Sequence, residues 1–114
     1  MDLINRSAVI VKAKQPYIDW ANHFDDGGPT LTLEDARTNA SVFLVDDIED
    51  EADSTRCLKK FYGRIFRYEL QEWVTDPKTW PQARDLKTFL DWFDVEIVMM
   101  VIDASRQELD RELY

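Results

Sequence analysis

Two spacings of apolar residues alternate along this chain. In 7–13 (SAVIVKA), 41–47 (SVFLVDD) and 95–103 (VEIVMMVID) they form short runs rich in β-branched residues, and each run predicts a strand. Elsewhere they recur every three or four positions, as on one side of a helix. QPYIDWANHF (15–24) carries Tyr17, Ile18, Trp20, Ala21 and Phe24 at that spacing. Pro16 suits its first turn, where a missing N–H costs nothing. DDGGP (25–29) predicts a turn. TLTLEDARTN (30–39) predicts a short helix, because Thr32 and Asp35 stand three apart as in a capping box. The longest helix is expected to begin between Glu49 and Ser54 and to end near Val74. Its apolar stripe is Leu58, Phe61, Tyr62, Ile65, Phe66 and Trp73. Leu86, Phe89, Leu90 and Phe93 mark a further helix over 84–93, and SRQELDREL (105–113) a short polar one at the end.

The predicted order is β-α-α-β-α-α-β-α. It describes an α+β fold, a small three-stranded sheet packed against three or more helices, in a single domain spanning 1–114. Val9 to Val11, Val42 to Val45 and Ile97 to Ile102 are consecutive apolar residues, which implies strands buried on both faces. Helices on both sides would meet that demand. So would a partner over one face, and a second copy is the commonest form of symmetric pairing.

WVTDPKTWP (73–81) puts two of the four tryptophans and two of the four prolines into nine positions. Asp76 and Pro77 read as the cap and first residue of a short helical turn, and Pro81 disfavours helix at Trp80. The segment is therefore a corner between the long helix and the helix over 84–93. Trp73 and Trp80 are expected to seal that junction; the competing reading is an exposed aromatic ledge.

The composition narrows the function. Fourteen aromatic residues (Trp 4, Tyr 4, Phe 6) are too many for a disordered chain. The net charge of −9 repels phosphate, so neither nucleic acid nor an anionic membrane surface is an expected partner, while a basic protein is. No apolar run approaches the length of a membrane span, and Asp2 stands where a signal peptide would be basic. Cys57 is the single cysteine, which fits a reducing, cytoplasmic setting.

Candidate chemistry is sparse. DDIEDEAD (46–53) supplies an acidic surface of Asp46, Asp47, Glu49, Asp50, Glu51 and Asp53, but lacks the glycine and the spacing of a calcium loop. It reads as a solvated loop beside a helix N-terminus, or as a docking surface for a basic protein. Arg56, Lys60, Arg64 and Arg67, with Lys59, form a basic stripe opposite the apolar one, expected to be solvated or paired with nearby acids. His23 is the only histidine and reads as a helix C-terminal residue, and Cys57 as an inert thiol. No metal or cofactor site is expected. The remaining candidates are polar or aromatic residues beside the apolar strands: Lys12, Lys14, Tyr17, Trp80, Trp92 and Glu96. If the first and third strands are neighbours, Lys12 and Glu96 are placed to pair across the sheet, either as a structural pair or at a small-molecule pocket.

NRSAVIVKAKQPYIDW, TLEDAR and WVTDPKTWPQARDLKTFLDWFDVEI together resemble a family of short bacterial proteins of unknown function, over about Asn5 to Ile102. The resemblance implies a bacterial cytosolic protein and brings no activity, cofactor or catalytic residue with it. From the residues themselves, the expected function is a non-enzymatic protein-interaction module, self-associating or bound to a basic protein. The alternative is a small-molecule-binding protein or enzyme using Lys12 and Glu96.

Overall fold

The computed structural model describes residues 1–24 and 30–112. Its elements are β1 (Asp2–Leu3), β2 (Arg6–Ala13), α1 (Gln15–Asn22), α2 (Leu33–Thr38), β3 (Ser41–Asp46), α3 (Ser54–Trp73), α4 (Leu86–Trp92), β4 (Phe93–Val98) and β5 (Ile102–Asp103). From β2 to β4 the order is the expected one, and the fold is α+β. The turn expected at 25–29 lies outside the described residues.

β2 is the centre of an antiparallel three-stranded sheet ordered β3-β2-β4. Val9 lies opposite Phe43 on one side and Ile97 on the other; Val11 lies opposite Ser41 and Val95. Side chains alternate between faces along a strand. One face therefore presents Val9, Val11, Val45 and Phe93, all buried, to the helices. Phe66 of α3 sits at the middle of this core, with ring centroids 5.6 Å from Phe89, 5.8 Å from Trp92 and 5.7 Å from Phe93. Leu58, Ile65, Phe66 and Leu70 are the buried stripe of α3.

Local signals set the helix ends. The Thr32 hydroxyl accepts from Asp35 N at 3.1 Å and the Asp35 carboxylate accepts from Thr32 N at 3.2 Å, the reciprocal capping box that starts α2. The Asp76 carboxylate accepts from Lys78 N and begins a 3-10 turn over Pro77–Thr79. Trp80, ahead of Pro81, is extended, as the proline ring demands. Asp85 caps α4 through Thr88 N at 2.9 Å and Thr88 Oγ1 at 2.6 Å.

The structure corrects two expectations and narrows a third. Residues 105–112 form no helix; their apolar content is Leu109, itself exposed, and a short helix without a packed face does not sustain itself. The strand expected over 95–103 is broken: β4 ends at Val98, and β5 leaves the main sheet to pair with β1. Leu3 lies opposite Ile102 in that two-stranded ribbon. Finally, of the two ways of covering both faces of the strands, helices on each side is not the one found among the described residues. Val42 is 62% exposed and Leu44 46% exposed on the face away from α3.

Ser7 marks where the ribbon joins the sheet. It is fully buried, its hydroxyl donates to the Met99 carbonyl at 2.9 Å and accepts from Ile48 N at 2.8 Å. One side chain thus answers two backbone groups from segments distant in sequence.

Candidate functional site

The corner 73–81 is a junction rather than a ledge. Trp80 is buried and donates its indole N–H to the Val74 carbonyl at 2.8 Å. The Trp20 indole donates to the Thr79 carbonyl at 2.9 Å, and the Trp73 indole to the Ala21 carbonyl at 2.8 Å. Three indoles therefore tie α1 to the end of α3 and to the turn that follows. Only Trp80 is buried; Trp20 is half-buried and Trp73 is 39% exposed, so the junction is sealed by Trp80 while all three indoles keep their polar edges satisfied.

The open face of the sheet carries one apolar row and a second that is apolar except for Glu96. Leu44, Ala8 and Val98 form one across the three strands; Val42, Ile10 and Glu96 form the next. Lys12 opposite Asp94 and Arg6 opposite Asp46 flank them at the two ends. Lys12 and Glu96 share this face, both exposed, one row apart, beside Asp94 in a shallow depression of about 260 Å³. The strands are neighbours as required, but the register gives Lys12 to Asp94 and Glu96 to Ile10. Lys14 turns toward α4, donating to the Leu90 carbonyl at 2.9 Å and standing 3.8 Å from Asp94.

Tyr17 and Trp92 belong to the other side of the sheet, with ring centroids 6.3 Å apart inside the helix layer. The six candidate residues thus do not form one site. Lys12 and Glu96 meet outside, Tyr17 and Trp92 meet inside, Lys14 lies at the sheet's end and Trp80 in the corner.

The acidic run leaves the sheet at the end of β3. Asp46 pairs with Lys60 and Asp53 lies 3.6 Å from Arg56. Asp50 accepts from Ala52 N at 3.0 Å, starting a 3-10 turn (Glu51–Asp53) that leads into α3. Asp47, Glu49 and Glu51 are exposed. Part of the basic stripe of α3 is thus paired with these acids. No group of three or more potential metal ligands occurs among the described residues. Burial raises the Cys57 thiol above its ordinary pKa, Asp46 pushes it further, and Lys60 only partly opposes this. The thiol is not activated. His23 caps the end of α1 as expected.

A second feature escaped the sequence reading. Tyr17, Asp35, Asn39, Glu69 and Trp73 line a cavity of about 150 Å³ on the helix side of the sheet, floored by Val11 and Ala13. Glu69 Oε1 is buried and accepts no hydrogen bond within the described residues. Burial raises the carboxyl above its usual range, a hydrogen bond from Ser41 partly offsets this, and Glu72 adds to the rise. The Tyr17 phenol, which donates to the Glu69 backbone carbonyl at 2.8 Å, is also held neutral, by burial first and then by Glu69 and Glu72. The signal was present: Glu69 falls three after Phe66 and four after Ile65, a charge on the apolar stripe.

No helix among the described residues is long and apolar enough to cross a membrane. No protein-family model matches the chain, and no curated protein or solved structure matches it.

Proposed function

We propose that this protein is a non-enzymatic interaction module that docks a basic protein on the open face of its sheet. One observation carries the reading. Leu44, Val42, Ile10, Ala8 and Val98 stand in two adjacent rows on a face that no described helix covers, with Val42 62% and Leu44 46% exposed. Large exposed side chains grouped in this way favour a partner, whereas scattered ones need none. An apolar centre between charged rows has the composition of an interface.

The charge of the partner follows from that of the chain. The run 46–53 continues directly from β3, so its acids border the apolar rows at their Asp46 end. With a net charge of −9, a basic surface is the complementary one and is drawn in from a distance. This reading suits a reducing cytosol, with Cys57 as a free thiol.

The rival occupant is a second copy. β3 is an edge strand, and Ser41 to Val45 carries no charge to discourage pairing. Capture from lysate of the source organism, comparing the natural chain with Leu44→Asp, separates the two. A stoichiometric basic protein that is released as salt rises from about 0.1 to 1 M, and is not held by Leu44→Asp, supports the reading. Retention unaffected by Leu44→Asp, an acidic partner, or no partner overturns it. So does sedimentation at twice 13.5 kDa that reverts to 13.5 kDa in Leu44→Asp, since the face is then filled by its own copy.

A further inference from the structure

Hydrogen bonding along β2 fixes which way the backbone of β3 points. Lys14 N donates to the Trp92 carbonyl at 2.8 Å, so Lys14, Lys12, Ile10 and Ala8 turn their backbone groups toward β4. Val9 and Val11 turn theirs toward β3, opposite Phe43 and Ser41. Val42 and Leu44 are left with N–H and C=O aimed outward, along the free edge of the sheet. No described backbone group outside the sheet bonds either residue.

The two edges of the sheet differ. β4 carries Asp94 and Glu96, charges of the kind that keep stray strands from pairing. β3 carries neither charge nor proline from Ser41 to Val45, and its register against β2 runs without a bulge. Beside its free edge lies a groove of about 490 Å³, lined by Ser41, Val42, Phe43, Leu44 and by Tyr68 of α3. Phe43 and Tyr68 meet edge to face there, with ring centroids 5.4 Å apart. A free edge beside such a groove is the geometry by which sheets take up an extended peptide. Main-chain bonds hold it, and alternate side chains enter the groove.

Charge selects the occupant. Past Asp46 the chain continues into Asp47, Glu49 and Glu51, all exposed, so a cation is favoured at that end. Arg64 and Arg67 stand beside Tyr68 and disfavour a cation in the groove itself. A second copy fits poorly. Pairing β3 with its own copy, antiparallel, carries the six acids of 46–53 to the Ser41 end of the other chain, where Glu69 and Glu72 already stand.

We propose that β3 takes up an extended segment of the docked basic partner as a fourth, antiparallel strand. The inference rests on the docking reading and names how the partner is held. Residues of the segment opposite Val42 and Leu44 are apolar and widen the open face. The residue opposite Phe43 is small and uncharged, and enters the groove. Basic residues precede them, because an antiparallel strand begins where β3 ends.

The probe is acetyl-Lys-Lys-Thr-Val-Thr-Val-Thr-amide, titrated into the full chain, with hydrogen exchange of the Val42 and Leu44 amides as readout. Saturable binding that slows both amides about ten-fold or more is the expected result. Methylating the backbone nitrogen of the first valine, which faces Leu44, weakens binding about ten-fold or more. Methylating that of the threonine between the valines, which points away from β3, does not. Replacing both lysines by glutamates weakens binding about ten-fold or more. No saturation up to the ~1 mM range, unslowed Val42 and Leu44 amides, equal losses from the two methylations, or equal binding of the glutamate peptide overturns the proposal. So does slowing that appears without peptide as the chain is concentrated, which gives the edge to a second copy. The two readings fail separately. A basic partner lost from Leu44→Asp, with both amides exchanging freely in the natural complex, keeps the docking face and removes the added strand. Peptide binding as expected, with no basic partner captured, supports the edge and removes the docking reading.

Discussion

Trp80 donates its indole N–H to the Val74 carbonyl, 2.8 Å away, and so folds the corner 73–81 back onto the helix that precedes it. Val74 is extended, at the point where α3 stops. The bond spans six residues and satisfies a carbonyl that the helix can no longer use. With Arg84 over its ring at 5.8 Å, Trp80 is a fixed part of the junction.

Trp80→Ala is therefore expected to lower stability by about 3–5 kcal/mol, the usual cost of removing a large buried ring. Trp80→Phe keeps most of the apolar contact but loses the donor, and is expected to cost less, about 1–3 kcal/mol. Urea unfolding of both variants checks the order. Equal losses would show that the hydrogen bond contributes nothing.

Ser7→Ala removes a few atoms and leaves two backbone groups, Ile48 N–H and Met99 C=O, without their partner. Its expected cost is about 1–3 kcal/mol, large for so small a change. The Ile48 amide should also exchange with solvent faster, which hydrogen exchange reads directly. A stability unchanged from the natural chain would remove the bridge from this account.

Glu69 makes stability depend on pH in a definite direction. Its folded pKa is raised, chiefly by burial. Below the ordinary carboxyl range the group is protonated in both folded and unfolded chains and adds nothing to the pH dependence. As pH rises toward the elevated folded value, the unfolded chain ionises first and stability is lost. Glu69→Gln does not titrate. Its stability relative to the natural chain is therefore expected to rise as pH climbs above the ordinary carboxyl range of about 4. Thermal melts along that climb test it; a difference that stays flat, or falls, contradicts the assignment.

Lys12→Ala, Glu96→Gln and Leu44→Asp alter exposed positions on the open face. Each is expected to shift stability by no more than about 0.5 kcal/mol. If docking uses this face, Leu44→Asp removes partner binding while its melting curve stays close to that of the natural chain. A large loss of stability in Leu44→Asp would mean that the face is packed in solution.

Much of the fold was legible because its causes are local. The stripe Leu58, Ile65 and Phe66 repeats at helical spacing, and the caps at Thr32 and Asp76 act within three residues. Pro77 and Pro81 restrict the residues before them whatever the rest of the chain does. The helix expected over 105–113 misled because its polar spacing names no face to pack, and helices that short depend on packing. The unbroken run Ile97 to Ile102 looked like one strand, but the chain divides it between two sheets, a choice made by β1 and β2 nearly a hundred residues earlier.

What the chain alone determined, then, is where the four helices α1 to α4 lie, how α2 and the turn after α3 are capped, and that three apolar strands separate them. Those features arise from hydrogen bonds and side-chain contacts within one or two turns. Which face of the sheet stays open, which residue stands opposite Lys12, and which carboxyl is enclosed were decided by tertiary structure. Strand register and burial depend on contacts between segments far apart. Placing β2 at the centre of the sheet set Asp94 across from Lys12. Laying α3 over one face enclosed Glu69 and left Val42 and Leu44 exposed on the other.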